Sequence, residues 1–350
     1  MQKWKQNIRD IEPYVPGEQP QNKNVIKLNT NESPYAPSPK VEKAIKEYNN
    51  GDLRLYPSFV CSNLKSALME SYPVNERELF LGNGSDEVLA LCFMTFFNSK
   101  KPVLFPDITY SFYDVWCNLY NIPYKRVPLD NNFRFIKEDY YVENGGIVIT
   151  NPNAPTSVYM ELDEIEDIIK HNEDVIVIVD EAYIDFGGKS AVDLIHKYDN
   201  LVVVQTYSKS RALAGIRLGY AMANSELIDA LEAVKNSFNS YTVNSLSQII
   251  GAASARDKDY FKECVDKIIS AREWTVEELS KLGFETLPSK ANFIFTTNKN
   301  ISAEKLFNYL KSKNIFVRFF NKPRISEYLR ITIGTLEQMD ALIKAIKEYK

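Results

Sequence analysis

The 350 residues include 45% hydrophobic content and carry a net charge of −4, from 42 basic and 46 acidic side chains. That is enough apolar material for a large core and, by length, about two domains. The charges are interspersed, so no basic face marks a nucleic-acid partner, and the longest apolar run, residues 88–97, is too short to span a bilayer. Cys61, Cys92, Cys117 and Cys264 stand far apart without a C-x-x-C pair, and there are only two histidines. They read as reduced thiols of a cytoplasmic protein, with no disulfide framework or zinc site. The opening MQKWKQNIRDIEPY is polar and of mixed charge, unlike a secretory signal.

Residues 1–31 read as an arm, because Pro13, Pro16 and Pro20 forbid a regular helix. Helices are predicted over 39–48 and 61–71. Short strands then follow at 79–81, 103–106, 124–127, 146–150, 175–179 and 201–204, with helices starting at 86, 110 and 162 between them. Strands without alternation, separated by helical patterns, predict a mainly parallel sheet with helices on both faces. After Gly219 helical patterns dominate residues 225–282. Strands at 292–295, 315–317 and 329–333 then alternate with helices at 303–311 and 336–349, which predicts a second, smaller α+β unit.

Candidate chemistry gathers at strand ends. Lys209 stands just past the strand at 201–204, where open α/β sheets hold ligands. Ser208 is beside it, Arg217 is a short loop away, and Gly215 and Gly219 allow close backbone approach. This grouping suits a nucleophilic amine beside an anion clamp. Gly82-Asn83-Gly84-Ser85-Asp86-Glu87 joins a strand to a helix whose free N–H groups can hold a phosphate. A dinucleotide fingerprint would need glycine where Glu87 stands. Asp180 ends an apolar strand, where a carboxylate is costly unless it meets something positive, such as a protonated ring nitrogen. Tyr183, three residues on, can donate to the same ligand. Asn151-Pro152-Asn153-Ala154-Pro155-Thr156 is a rigid turn that can present an amide. Arg330 and Arg318 are candidates for an anionic substrate. Together these groups match what pyridoxal phosphate chemistry needs.

The chain resembles the fold-type I aminotransferases and, within them, the histidinol-phosphate aminotransferases. The likeness runs over nearly the whole chain through IEPYVPG (11–17), LNTNESPY (28–35), LYP (55–57), GNGSDE (82–87), PDITYSFY (106–113), NPNAPT (151–156), DEAYIDF (180–186), TYSKSRALAGIRLGY (206–220) and LRITIG (329–334). It implies a large α/β domain on a mainly parallel seven-stranded sheet over 36–245, a smaller α+β domain over 246–350, and an arm over 1–35. By the same likeness Lys209 bonds the aldehyde of pyridoxal 5′-phosphate and carries the shifted proton. Asp180 pairs the ring nitrogen, Tyr183 bonds the ring 3-oxygen and Tyr110 stacks on the ring. Gly84, Ser85 and Asp86, with Ser208 and Arg217, form the phosphate site. Tyr56 reaches the neighbouring subunit's phosphate site, which implies a homodimer. Arg330 takes the carboxylate of glutamate and, in its turn, the phosphate of histidinol phosphate, and Tyr14 lies in the arm that closes over the substrate.

Two departures stand out. The family's asparagine before Pro-Thr-Gly is Ala154, and the glycine is Ser157, which leaves Asn153 as the expected donor to the 3-oxygen. Ser210-Arg211 replaces the apolar pair often found after the lysine. The implied reaction exchanges an amino group between L-histidinol phosphate and 2-oxoglutarate, in histidine biosynthesis. Relatives that transaminate aromatic amino acids or decarboxylate threonine phosphate share the same motifs. A non-catalytic binding protein on this scaffold would lack the lysine or the ring aspartate, and both are present.

Overall fold

In the protein's structure, a computed structural model, residues 3–20, 22 and 24–349 are described. The arm leads through a short strand, β1 (Ile26–Lys27), to helices α1 (Pro39–Glu47) and α2 (Ser62–Met69). Ser38 caps α1 with its hydroxyl and Pro39 opens it, which sets where that helix begins. The alternating region follows as β2 (Leu79–Gly82), α3 (Ser85–Phe96), β3 (Val103–Pro106), α4 (Phe112–Tyr120) and β4 (Tyr124–Val127). It continues through β5 (Gly146–Thr150), α5 (Leu162–Lys170), β6 (Val177–Asp180), β7 (Leu201–Thr206) and β8 (Gly219–Ala223).

These seven strands form one sheet in the order β2-β8-β7-β6-β5-β3-β4. All neighbours run parallel except β8, which is antiparallel to both β2 and β7. The central strands are apolar along their whole length because both faces are covered. Ile147, Ile149, Val177, Val179, Leu201 and Val203 point into one core with α2 and α5. Val148, Ile178, Val202 and Val204 point into another with α3 and α4. The predicted pattern has no strand at 219–223. Gly219, Ala221 and Ala223 give little β signal, and the strand runs almost directly into the next helix.

Helices α6 (Ser225–Phe238), α7 (Ser245–Ala255) and α8 (Lys258–Lys281) come next. The chain ends with β9 (Glu285–Thr286), β10 (Phe293–Thr297), α9 (Ala303–Ser312), β11 (Ile315–Phe316), β12 (Arg318–Phe319), β13 (Tyr328–Thr332) and α10 (Leu336–Tyr349). Strands β12-β13-β10-β9 form a four-stranded antiparallel sheet. Its core, with Ile268, Leu306, Leu310, Ile331, Leu342 and Ile346, is separate from the two around the large sheet. The arm is fixed to this part. β1 pairs in parallel with β11, and the Thr332 amide donates to the Leu28 carbonyl at 3.0 Å.

Because β2 runs the same way as β7, the carboxyl ends of β2, β3, β5, β6 and β7 all open on one edge. That edge is where ligands collect in such sheets. At this edge β8 passes under the start of α3. A Cβ on Gly219 would lie 2.3 Å from the Ser85 nitrogen and 2.5 Å from the Gly84 carbonyl carbon. Both are backbone atoms and cannot swing away. Gly219→Ala is expected to lower stability in urea unfolding by about 1–3 kcal/mol. An unchanged midpoint would show that the turn and strand separate freely.

Candidate active site

The turn after β2 and the loop after β7 meet first. Gly84 caps α3 with φ +86°, a conformation that favours glycine. Its missing side chain makes room for Arg217, whose Nη2 would be 2.5 Å from a Cβ there. Arg217 donates from Nη2 to Asp86 Oδ2 at 3.0 Å, and from Nη1 to Ser208 Oγ at 3.5 Å. Ser85 opens α3, so its N–H points outward from the helix start, a place that suits phosphate. Asp86 also accepts the Tyr110 hydroxyl at 2.8 Å. Gly84, Ser85, Asp86, Tyr110, Ser208 and Arg217 thus converge as the sequence predicts.

Asp180 closes the floor. It is 3% exposed, and among the described residues no cation forms an ion pair with it, Lys209 acting only from a distance. Its Oδ2 accepts the Tyr113 hydroxyl at 2.7 Å, and its Oδ1 accepts the Ala182 amide at 3.2 Å. Burial lifts its pKa to about 6, against the pull of those hydrogen bonds. A buried carboxylate held by two neutral donors fits a protonated ring nitrogen arriving from above. Tyr113 also bonds Thr150 Oγ1 at 2.8 Å, which fixes its proton on Asp180. It is a supporting residue without an assigned role in the sequence, although it lies in PDITYSFY, three residues after Tyr110.

Lys209 Nζ lies 5.6 Å from the centre of the Tyr183 ring and donates to the Thr30 carbonyl at 3.4 Å. The Tyr183 hydroxyl accepts from Asn31 Nδ2 at 3.0 Å, which leaves its own proton free for another acceptor. Arg330 Nη2 donates to the Asn29 carbonyl at 2.8 Å. Three consecutive arm residues therefore touch Arg330, Lys209 and Tyr183. LNTNESPY marks this stretch, but the contacts of Asn29 and Thr30 use backbone carbonyls, which leave no side-chain signature from which they could be read.

Arg318 and Arg330 sit directly opposite each other on β12 and β13. Two like charges in that register repel. Burial pushes the Arg330 pKa down, and Arg318 adds to the effect. The Arg330 Nε is buried without a hydrogen-bond partner. Neither guanidinium meets a carboxylate among the described residues, and both lie over the Phe320 ring, at 5.4 and 5.5 Å. Tyr14 reaches this place from the arm. Its ring stacks on Phe112 at 4.2 Å and lies 6.1 Å from that of Tyr110.

Two candidates stand elsewhere. Asn153 is fully buried, and its amide donates to the Ile108 carbonyl and to Thr156 Oγ1, both at 2.9 Å. Its oxygen accepts from Thr109 Oγ1. The expected hydrogen bond to a ring oxygen thus has no free donor, and Asn153 braces the turn from behind. Tyr56 is 82% exposed and stacks on Tyr241 at 4.7 Å, apart from the other site groups.

Residues 23–346 match the model of the family described as aminotransferase class I and II. The chain is 53% identical to the histidinol-phosphate aminotransferase of Clostridium botulinum (strain Langeland), covering 99% of this chain and 98% of the relative. It is also 53% identical to the enzyme of that name from Lactococcus lactis subsp. cremoris (strain SK11), over 99% and 97%. The fold matches the crystal structure of the histidinol-phosphate aminotransferase from Clostridium acetobutylicum with a TM-score of 0.85 at 24% identity, covering 93% of this chain and 99% of that one. The enzyme of the same name from Sinorhizobium meliloti, solved in complex with pyridoxal-5′-phosphate, gives 0.83 at 21%, over 93% and 92%. With a carboxylate and a lysine at the edge of the large sheet, an arginine pair on the small sheet and these relatives along its length, the chain belongs to the class I and II aminotransferases and, within them, to the histidinol-phosphate aminotransferases.

Proposed function

We propose that the protein is a pyridoxal phosphate-dependent transaminase that exchanges the amino group of L-histidinol phosphate with 2-oxoglutarate, giving imidazole-acetol phosphate and L-glutamate, in histidine biosynthesis. The observation that carries the substrate class is the opposed pair Arg318 and Arg330, un-neutralised and with a buried unpartnered Nε. A glutamate side-chain carboxylate and a histidinol phosphate group are both anions that such a pair would hold.

The residues present fit the cofactor: the buried Asp180 is held by two neutral donors, and Gly84 leaves the room that Arg217 uses. Pyridoxal phosphate supplies an aldehyde that captures amines and a pyridinium ring that takes up the electron pair left when a carbon-bound proton departs. Asp180 would keep the proton on the ring nitrogen. Tyr183, its hydroxyl oriented by Asn31, would donate to the ring 3-oxygen, and Tyr110 would lie against the ring. The Ser85 amide, Ser208 and Arg217 would hold the phosphate, while Asp86 sets Arg217 and Tyr110 in place. Lys209 Nζ would give up the aldehyde to the incoming amine and then carry a proton between the substrate carbon and the cofactor carbon on the other side of the shared nitrogen. Arg330 and Arg318 bind the substrate anion, and Tyr14 covers it. The second half-reaction reverses these proton movements with the other substrate, which is why one anion site serves both.

We extend the proposal to a homodimer. Leu53, Leu55, Tyr56, Phe238 and Tyr241 are exposed large side chains, and Tyr56 stacks on Tyr241. In a dimer Tyr56 would reach the partner's phosphate. A monomeric mass in sedimentation at micromolar protein would contradict this. Among the described residues no helix is long and apolar enough to cross a membrane, and the four cysteines are free and buried. A cytoplasmic location, checked by cell fractionation, suits both.

Two outcomes test the chemistry. The purified protein with cofactor should show a visible absorbance band that both L-glutamate and L-histidinol phosphate bleach. In Lys209→Ala both half-reactions should slow by about 10²–10⁴-fold or more. Bleaching by an aromatic amino acid but not by L-histidinol phosphate would overturn the substrate assignment. The second outcome concerns pH. Asp180 is raised to about 6, so above that pH it is charged and attracts a protonated ring, and below it the carboxyl is neutral. Cofactor affinity should fall as pH drops through about 6, and Asp180→Asn should bind weakly with a flattened profile. A wild-type profile flat from pH 5 to 8 would show that the carboxylate is not the ring's partner.

A further inference from the structure

Arg324 lies in the loop 320–327 between the two strands that carry the arginine pair. Its guanidinium crosses to the large sheet. Nη1 donates to Asp107 Oδ2 at 3.0 Å, and Nη2 donates to the carbonyls of Leu129 at 2.9 Å and Asp130 at 2.6 Å. The same group lies over the Phe133 ring at 5.4 Å. Its backbone has φ +68°, a conformation disfavoured for a side chain with a Cβ, and one that persists where surrounding contacts impose it.

Each end of this tie leads into the site. Asp107, which also accepts the Leu129 amide at 3.0 Å, begins the loop that carries Thr109 and Tyr110. At the other end, Phe320 opens the loop that Arg324 anchors, and both Arg318 and Arg330 rest on its ring. An apolar contact already joins the two parts here. Phe133 meets Phe295 and Tyr328 edge-on, and Ile325 is buried in the same core. Adhesion between the parts does not require the arginine. What the arginine adds is direction, since three bonds from one planar group fix the loop in all dimensions.

We infer that Arg324 is a positioning residue for the substrate. It holds the Arg318–Arg330 anion site at a set distance from the Tyr110 loop, so that a substrate gripped by its anion would present its amine to the cofactor aldehyde and its carbon-bound proton to Lys209. The inference rests on the reading of that arginine pair as the anion site. An error of about 1 Å between a binding group and the reacting atoms costs on the order of 10²-fold.

The test compares wild type, Arg324→Gly, Arg324→Lys, Asp107→Asn and Arg330→Ala, each as holoenzyme. Glycine suits the positive φ, so Arg324→Gly removes the side chain without adding backbone strain. The readings are the L-glutamate and L-histidinol phosphate concentrations that half-bleach the cofactor band, the cofactor affinity and the urea midpoint. Amide exchange over 320–327 in the cofactor-free protein is a fourth. Arg324→Gly should raise both half-bleaching concentrations about 10–100-fold and speed exchange in the loop, with cofactor affinity and midpoint little changed. Arg324→Lys should recover part of the loss, and adding Asp107→Asn to Arg324→Gly should cost little more. If Arg330→Ala abolishes the response to both amines while Arg324→Gly leaves it intact, the tie is an ordinary surface bridge and the inference falls. It also falls if Arg324→Gly lowers substrate affinity, cofactor affinity and midpoint together. If Arg330→Ala leaves both amines unaffected, the anion-site reading fails and the role of Arg324 fails with it.

Discussion

The site depends on how three groups are held by one short piece of backbone. The carbonyls of Asn29 and Thr30 accept from Arg330 and Lys209, and the Asn31 side chain donates to Tyr183. Carbonyl oxygens orient a cation without cancelling its charge. A carboxylate in the same place would neutralise the arginine and compete with the substrate anion. The segment is itself fixed on the side of the small sheet. The Asn31 amide donates to Thr332 Oγ1 at 3.0 Å, and that hydroxyl donates back to Asn31 Oδ1 at 2.9 Å. Asn292 Nδ2 donates to the Asn31 carbonyl at 3.0 Å. Asn31 is buried and sits at φ +58°, which asparagine tolerates better than most residues. The arm thus acts as a template that sets Lys209, Tyr183 and Arg330 relative to one another.

The large sheet imposes a different constraint. Its central strands must be apolar on both faces, so polar residues at or just past the carboxyl ends are conspicuous in the sequence. Asp180, Ser208 and Lys209 were legible for that reason, as was the glycine turn at 82–87. The strand β8 was not legible, because its alanines and glycine pack closely and carry no β-branched signal. Yet it brings Gly219 under the turn and so sets the shape of the phosphate cup. The place of Asn153 is not legible for a related reason. A sequence shows which amide stands in a turn but not where its protons go, and here the turn itself consumes them. Tyr113 is not legible because an aromatic residue on a helix facing a core reads as packing. It does pack, at 0% exposure, and only its hydroxyl reaches the carboxylate.

Asp180 and its neighbour Glu181 show how the sheet edge divides two buried acids between different tasks. Glu181 is 1% exposed and takes three donors, from Ser190, the Ala191 amide and Gln205. Its oxygens are committed, and burial still lifts its pKa to about 7. Gln205 in turn accepts the hydroxyls of Tyr72 and Tyr220. This network is complete without a ligand and braces the strands from behind. Asp180 has fewer donors and faces the open edge. Two adjacent acids at the end of one strand therefore differ in function because alternation sends them to opposite faces. One is satisfied by the protein, and the other is left for a cation from outside.

The arginine pair bears on the choice between substrate classes. A neutral aromatic side chain entering between Arg318 and Arg330 would displace solvent from two like charges and offer no acceptor to either. Leaving a buried charged donor unpaired costs about 1–3 kcal/mol or more, and that loss would fall on the aromatic substrate alone. It corresponds to about 10–10² in selectivity for an anionic substrate from this pair, before shape is considered. The many tyrosines and phenylalanines of the chain do not offset that cost. Those nearest the pair are used otherwise: Phe320 supports both guanidiniums, Phe293 lies under Arg330 and packs edge-on against Tyr183, and Phe112 stacks on Tyr14. The aromatic residues at this end of the site therefore build the seat of the arginine pair, and on the proposed reading the selectivity belongs to the charges they support.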